Sequence, residues 1–568
     1  MAHTLTSTTK HAAEAAYRWR WAALFVILAG EIMDMLDALI TNVAAPTIRA
    51  ELGGSAATVQ WLAAGYTLAM AIGLITGGRL GDLYGRRRMF LIGAAGFTAA
   101  SLLCGIAVSP GMLVGARVTQ GLFGALILPQ GIGLIKQMFP PKEMAVAFSV
   151  FGPVMGLASV GGPVLAGWLI DADLFGTGWR MIFLINLPLG AAAILAGLKF
   201  LPSGRSERAT RLDLPGAALA SLAAALLIYP LVQGREHDWP AWTFLMMAAS
   251  LAVWAVFAWY EARKHRSGGD PLIVPSLFRK RGFTGGLIVG LVFFAAIAGL
   301  GLVLSLFFQM GLGFSPLKAG LSQIPWSVGT VLGFGLVQAV QRFGRRVIHA
   351  GALIMAAGIA GFHATLLHAG IDVTPWHLVP ALTLTGLGMG LLMGPFFDTA
   401  LAGVEPEETG SAGGTLTAVQ QLGAALGAAV LGTIFFGLLG GQVTTAADGG
   451  AAGLRKDLAA ASVPAALQDR IVGGLRDCGH DRATTEDAAA VPASCRRLQA
   501  DVGAAFAAAP RSAPAVQKAV ADAGEHSAKV GFSEAMKITL RVEAGLLGLT
   551  FLATFLLPKH ARPEAEHA

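Results

Sequence analysis

The sequence predicts an all-α integral membrane protein with about fourteen transmembrane helices, and three observations carry that prediction. Of 568 residues, 55% are hydrophobic and only 13% charged, with a mean hydropathy of +0.64, a balance that a water-soluble fold does not reach. Apolar runs of about 20 residues, the length of a helix that crosses the hydrocarbon core, recur along the chain. They begin near Trp21, Thr58, Met89, Met112, Met144, Met181, Leu214, Ala241, Phe283, Leu317, Val347, Trp376, Gly410 and Val542. Finally, most of the 41 Lys and Arg lie at the termini or in the loops on their side. An even number of spans puts both termini on one side, and positive-inside bias makes that side the cytoplasm. The isoelectric point of about 9.4 thus reflects topology and not affinity for nucleic acid.

The first run is too long for a signal peptide and lacks a small-residue cleavage site, so it reads as an uncleaved helix. It carries Glu31, Asp34 and Asp37. At about 100° per residue these fall on one face roughly 120° wide. Each acid costs about 2.5–3.5 kcal/mol at the centre of a membrane helix, so the stripe must face protein or a water-filled cavity. Such a seam suits a protein that moves protons or cations. In the second run, Trp61 reads as an interfacial anchor, and Tyr66, one turn deeper, is placed to line a cavity.

Between the second and third runs stands GRLGDLYGRRR, Gly78 to Arg88. Its glycines permit a tight turn, Asp82 can cap a helix or face its dipole, and Arg86, Arg87 and Arg88 open the next helix. A merely solvated basic loop needs no such spacing. Cys104 in the third run reads as a packed thiol. Arg117 is the one basic residue within a run, and a first-helix carboxylate is its expected partner. The fifth run, from Gly152, is rich in glycine, as close-packed membrane helices are.

These segments together resemble the major facilitator superfamily, and within it the fourteen-helix drug:proton antiporters. GRLGDLYGRRR is similar to the superfamily's cytoplasmic signature at Gly78, Leu80, Asp82, Gly85, Arg86 and Arg87. LDALITNVAAP is similar to the first-helix motif at Asp37, Asn42 and Pro46, with Ala44-Ala45 where Ala-Leu is usual. RVTQGLFGA resembles the fourth-helix motif at Arg117, Gln120, Gly121 and Gly124. GPVMGLASVGGPVLAG resembles the antiporter motif at Gly156, Gly162, Pro163 and Gly167, and WRMIFLINLPLG resembles the lead into the sixth helix.

The resemblance implies a major facilitator fold: a six-helix half over 1–203, two extra helices over 204–262, a cytoplasmic linker over 263–282 and a second six-helix half over 283–568. It implies proton-coupled transport with Asp37 as proton carrier, Arg117 governing proton release, and Asn42, Gln120 and Tyr66 along the pathway. Asp34 and Glu31 join Asp37 on physical grounds, because like charges one turn apart titrate together. The fifth-helix glycines are expected to gate at the interface of the halves.

Further along, Asp213 in RLDLPG reads as a helix N-cap with Pro215 in the first turn. QRFGRRV, Gln341 to Val347, repeats DLYGRRR, Asp82 to Arg88, as two copies of one six-helix unit would, but Gln341 replaces Asp82. The glycines from Gly386 are no dinucleotide fingerprint, since no βαβ unit fits an apolar span. Asp398, at the end of that span, reads either as a further intramembrane acid or as an interfacial one beside Glu405 and Glu408. Gln420 and Gln421 are placed either to face substrate or to bond a neighbouring helix. His363 reads as a packing histidine. An Ala-rich polar segment over 440–531 is expected to form short helices outside the membrane, where a disulfide between Cys478 and Cys495 is permitted.

The expected function is proton-coupled efflux of lipophilic, cationic drugs or antibiotics across the bacterial plasma membrane by alternating access. The alternative is a dedicated exporter of one endogenous metabolite, antibiotic, siderophore or lipid. A third class, a scaffold acting through the outer segment without transport, would depend on 440–531 and not on Asp37. The expected partners are a small substrate, protons and the bilayer, with no nucleic acid, and the chain is expected to work as a monomer. No enzymatic activity, cofactor or metal is expected: the sequence holds no phosphate-binding G-x-x-x-x-G-K-[ST] loop and no metal or Ser/His constellation in its spans.

Overall fold

The computed structural model describes residues 17–203, 212–405, 408–485 and 490–559, and every regular element among them is a helix. The first group comprises α1 (Arg20–Leu52), α2 (Ala56–Tyr84), α3 (Arg86–Gly105), α4 (Pro110–Met138) and α5 (Pro141–Asp171). The short α6 (Met181–Leu184) and α7 (Asn186–Phe200) together make its sixth pass. A hairpin follows, α8 (Leu214–Gln233) and α9 (Ala241–Arg266). The second group starts with α10 (Arg281–Leu306), then α11 (Pro316–Ser322) and α12 (Ile324–Val340), which meet at Gln323. It continues through α13 (Arg345–Ala369), α14 (Pro375–Ala400) and α15 (Thr409–Ala460). Last come α16 (Ala465–Thr484), α17 (Ala493–Ala508) and α18 (Ala513–Ala553).

Local chemistry fixes many of the starts. Ser55, Ser109, Asp213 and Ser315 each accept a backbone N–H from the first turn they precede, the capping that unpaired helix N-termini require. Proline sits in the first turn after three of these caps, at Pro110, Pro215 and Pro316. Asp213 is therefore the cap that its sequence context indicates.

Among the described residues, 11 helices are long and apolar enough to cross a membrane. Three further passes complete the fourteen. These are α1, whose three acids lower its hydropathy; α5, a helix of 31 residues; and the broken pair α11–α12. The architecture is thus two six-pass halves with an extra pair, α8 and α9, between them. Helix α8 lies where α2 of one half meets α15 of the other: Trp61 and Tyr229 rings stand 6.0 Å apart, and Thr433 Oγ1 donates to Leu231 O at 2.8 Å.

One end of the bundle carries the arginine-rich α2–α3 turn and is here the basic end. The other carries α16 and α17 and is the capped end. At the capped end both halves share one apolar core, with Ile40, Val43 and Ile48 buried alongside Leu300, Phe307 and Phe308. Towards the basic end the first half has its own core, built from Leu24, Ile27, Met70, Phe90 and Phe97, to which the second half adds Ala418.

The 440–531 segment differs from the expected set of short helices. Helix α15 runs on through it to Ala460 and α18 already begins at Ala513, so two membrane passes continue outwards as long helices, with α16 and α17 between them. The reason is composition: an Ala-rich chain has high intrinsic helicity and does not break where hydropathy falls. These extensions enclose an apolar core of Leu454, Leu458, Ile471, Leu498 and Val516, and Cys478 is bonded to Cys495.

Candidate transport site

The acidic stripe of α1 faces α4. Asp37 and Arg117 are both 1% exposed and form an ion pair. Gln120 Nε2 and Asn186 Nδ2 each donate to Asp37 Oδ1 at 2.9 Å. Arg117 also donates to Gln120 Oε1 at 2.6 Å and, through Nε, to Leu62 O at 3.3 Å. Ser101 Oγ receives Gln120 at 2.8 Å and Asn186 at 3.3 Å. The guanidinium lies 4.1 Å from the Tyr66 ring centre, a cation–π contact that further compensates a charge removed from water. Four helices of one half thus converge on a single carboxylate.

Asp34 and Glu31 follow one and two turns towards the basic end. Asp34 is half-buried and accepts the Tyr66 hydroxyl. Glu31 is buried, and its Oε1 has no hydrogen-bond partner. Helix α4 makes room for both acids with glycine. A Cβ on Gly124 would stand 2.8 Å from Asp34 Oδ1, and one on Gly131 would stand 3.1 Å from Glu31 Oε1. Arg117, Gly124 and Gly131 repeat every seven residues, two helical turns, and so present one face to the stripe. Tyr66 is buried beneath Arg117 and does not line open space.

The remaining sequence-selected residues sort into separate places. At the capped end Asn42 offers its carbonyl to Ser305 Oγ at 2.8 Å, and Val43 O accepts from Gln309 Nε2 at 2.8 Å. There α5 also meets α11. A Cβ on Gly167 would fall 2.4 Å from Pro316 O, and one on Gly320 would fall 2.3 Å from Pro163 O. Asp171 Oδ2 caps α11 across the seam, accepting from Ser315 Oγ at 2.8 Å and Leu317 N at 3.1 Å. Gly162 faces Leu36 and Leu39 of α1. Gly156 lies on α5 in a stretch whose side-chain surroundings fall outside the described residues.

At the basic end, Gly85 turns the chain with φ +96°, a conformation glycine adopts without strain. Arg86 pairs with Asp82 at 2.9 Å and lies against Gly133 of α4. Arg87 donates to Leu198 O, and Gly78 approaches Pro129. The repeat uses the same turn: Gly344 has φ +56°, and Arg345 reaches the carbonyls of Phe555 and Leu557 at 3.1 and 2.9 Å.

Three further sequence-selected sites take these positions. Asp398 is exposed on α14 and takes no part in the network, as its interfacial position dictates. Gln421 donates to Met70 Sδ at 3.1 Å, linking α15 to α2, while Gln420 is half-buried beside it. His363 is a hydrogen-bond acceptor for Arg541 Nε at 3.3 Å. Sequence reasoning missed Asn186 as a partner of Asp37, and Ser101 as the acceptor shared by Gln120 and Asn186. The available signal was a lone amide in the apolar run before Leu187-Pro188.

A bundle of fourteen membrane passes in two halves, with a buried ion pair and polar network at the centre of the first, has the architecture of a membrane transporter. The chain belongs to the Major Facilitator Superfamily, whose family model matches residues 27–219 and 214–428. It is 50% identical over 550 residues to a probable actinorhodin transporter of Streptomyces coelicolor, covering 96% of this chain and 93% of that one. It is 34% identical to a tetracenomycin C resistance and export protein of Streptomyces glaucescens, covering 77% and 80% of the two chains. A cephamycin export protein of Amycolatopsis lactamdurans is 36% identical, over 72% and 84%. Among solved structures, a bacterial homologue of the human lysosomal transporter Spinster, inward-facing and occupied, matches with a TM-score of 0.55 at 17% identity, covering 95% and 98%. That match speaks to the fold.

Proposed function

We propose that this chain exports an antibiotic-class small molecule in exchange for protons, with its basic end and both termini in the cytoplasm of a bacterial cell. The observation that carries the reading is the seam on α1: one carboxylate locked to Arg117 in a buried ion pair, followed by two acids spaced towards the basic end. Protonation of Asp37 would remove the charge that holds Arg117, and loss of that proton would restore the pair. The halves are joined at the capped end by Asn42–Ser305, Val43–Gln309 and the α5–α11 contact. Alternating access would separate them there. With Asp37 paired to Arg117, the carboxyls of Asp34 and Glu31 are the acidic groups left to meet a lipophilic cation.

The names of the relatives support antibiotic export. Dedicated export of one endogenous compound is the second reading. It is favoured by the 50% identity to the probable actinorhodin transporter over 96% of the chain, against 33% over 71% for the Mycobacterium tuberculosis multidrug resistance protein Stp. Inside-out vesicles with an imposed proton gradient test both readings. Collapse of the gradient by several unrelated lipophilic cations, lost in Asp37→Asn, supports multidrug antiport. Collapse by a single compound from the producing cell supports the dedicated exporter. No collapse by any compound refutes proton exchange.

A further inference from the structure

The second half holds a buried acid of its own. Glu543 on α18 is 0% exposed, and neither of its carboxyl oxygens has a hydrogen-bond partner. It lies on the buried face of the helix with Met536, Leu540 and Leu547. The hydroxyls of Thr539 and Thr550 on the same face bond back to Ala535 O and Leu546 O, at 2.8 and 2.9 Å.

Charged groups on the packed elements are few. Helices α10 and α15 and the turn Phe307–Gly311 all pack on α18, and their membrane stretches carry no ionisable side chain. Helix α13 offers His363, occupied by Arg541, and His349, which sits against Phe551 and Phe555 near the basic end. On α18 itself, Lys537 bonds Glu534. Helices α16 and α17 meet α18 in its extension beyond the membrane. An ionised carboxylate without ion pair or donor is far costlier in such surroundings than the neutral acid, so here Glu543 carries its proton.

Its place in the repeat is telling. Pro202 and Pro558 follow the last helix of each half, and Asn186 and Glu543 precede them by the same distance to within one residue. Where the first half aims an amide at its charged pair, the second half sets a carboxyl.

We infer that Glu543 is a second proton-binding carboxyl, exchanging its proton with water in the course of the transport cycle. The inference rests on the proton-coupled reading above. In each cycle one proton leaves the carboxyl for water on one side of the membrane and one is taken up from water on the other, so Glu543 adds one proton to the coupling ratio.

The test uses the full chain in proteoliposomes with ethidium as the transported probe. The proton-to-ethidium ratio is read from the gradient at which net flux reverses. In Glu543→Gln the ratio falls by one while transport persists. A wild-type ratio of zero overturns both readings; a finite ratio that Glu543→Gln leaves unchanged overturns this one alone. Dicyclohexylcarbodiimide, which modifies protonated carboxyls in apolar surroundings, gives an independent readout on the wild-type chain. An adduct at Glu543, found by peptide mass spectrometry, is expected, and its absence overturns the inference whatever the fate of the variant.

Discussion

Replacing Asp37 by Asn separates a proton-switched pair from a fixed structural one. Asparagine keeps the shape and one acceptor oxygen but leaves the charge of Arg117, 1% exposed, with neutral acceptors alone, Gln120 Oε1 and Leu62 O among them. Breaking a buried pair by removing one partner costs about 3–5 kcal/mol. The Tyr66 ring beneath the guanidinium offsets about 0.5–2 kcal/mol of that. The net loss is about 1–4.5 kcal/mol, or roughly 5- to 2,000-fold in the folded-to-unfolded ratio. Removing the arginine as well relieves most of it, because a neutral pair leaves no uncompensated charge. The measurements are thermal unfolding of the purified protein and gradient collapse in vesicles, made on Asp37→Asn, Arg117→Gln and the double variant. The double variant is expected to unfold later than Asp37→Asn alone, yet to remain uncoupled. A double variant less stable than either single, or proton coupling that survives Asp37→Asn, refutes the reasoning.

Gly167→Ala would set a methyl 2.4 Å from Pro316 O and 2.5 Å from Leu317 Cα, and backbone cannot give way as a side chain can. The halves should part at the capped end, read as a several-fold rise in maleimide labelling of a Gln309→Cys reporter on the order expected for an exposed thiol. Gly124→Ala would press on Asp34 Oδ1 at 2.8 Å, and transport should fall on the order of tenfold to a hundredfold, as for a misplaced functional group. Gly115→Ala, with nothing within 4 Å, serves as its control and should transport normally. Asp213 is pushed up by burial, but hydrogen bonds from Lys264, Gly216 N and Tyr260 outweigh this and hold its carboxyl below the usual range. Its folded-state value being depressed, its stabilisation is complete above the ordinary carboxylate range and is lost as pH falls through the folded value. Asp213→Asn, which keeps the cap, should therefore lower stability by about 1–3 kcal/mol at neutral pH, and the melting difference from wild type should vanish in acid.

What the sequence conveys follows from which interactions are periodic. The stripe of Glu31, Asp34 and Asp37 is visible because helical spacing places it on one face before any neighbour is known. Arg117 as its partner is visible because a lone buried cation demands one. Ser101 and Asn186 are not visible, since a polar residue in a span reads the same whether it serves the charged pair or simply bonds the next helix. Asp398 has the sequence setting of an intramembrane acid, yet the last turn of α14 leaves it exposed. Glu543 is hidden for the opposite reason. Lys537 and Arg541 depress hydropathy just before it, so the last span seems to begin at Val542, whereas α18 is helical from Ala513 and buries a face from Phe532 onward.

The energetics of the seam between the halves bear on whether one proton suffices to move them. Among the described residues six hydrogen bonds cross it towards the capped end: Ser305 to Asn42 O, Gln309 to Val43 O, Ser315 and Leu317 N to Asp171, Arg49 to Thr485 O and Thr433 to Gln60 Oε1. At about 0.5–1.5 kcal/mol net each, they hold the halves together by about 3–9 kcal/mol. Gly167 and Gly320 bring backbone onto backbone there, so little side-chain surface is uncovered when this contact opens. Reversing a two-state equilibrium from 1:99 to 99:1 takes about 5.5 kcal/mol. Neutralising Asp37 releases a buried pair whose one-sided loss is worth about 3–5 kcal/mol, and a membrane potential adds about 2.3 kcal/mol per charge per 100 mV. The hold at the seam and the release at the pair are thus of the same size, the condition under which protonation of a single buried carboxylate can decide which end of the bundle is open.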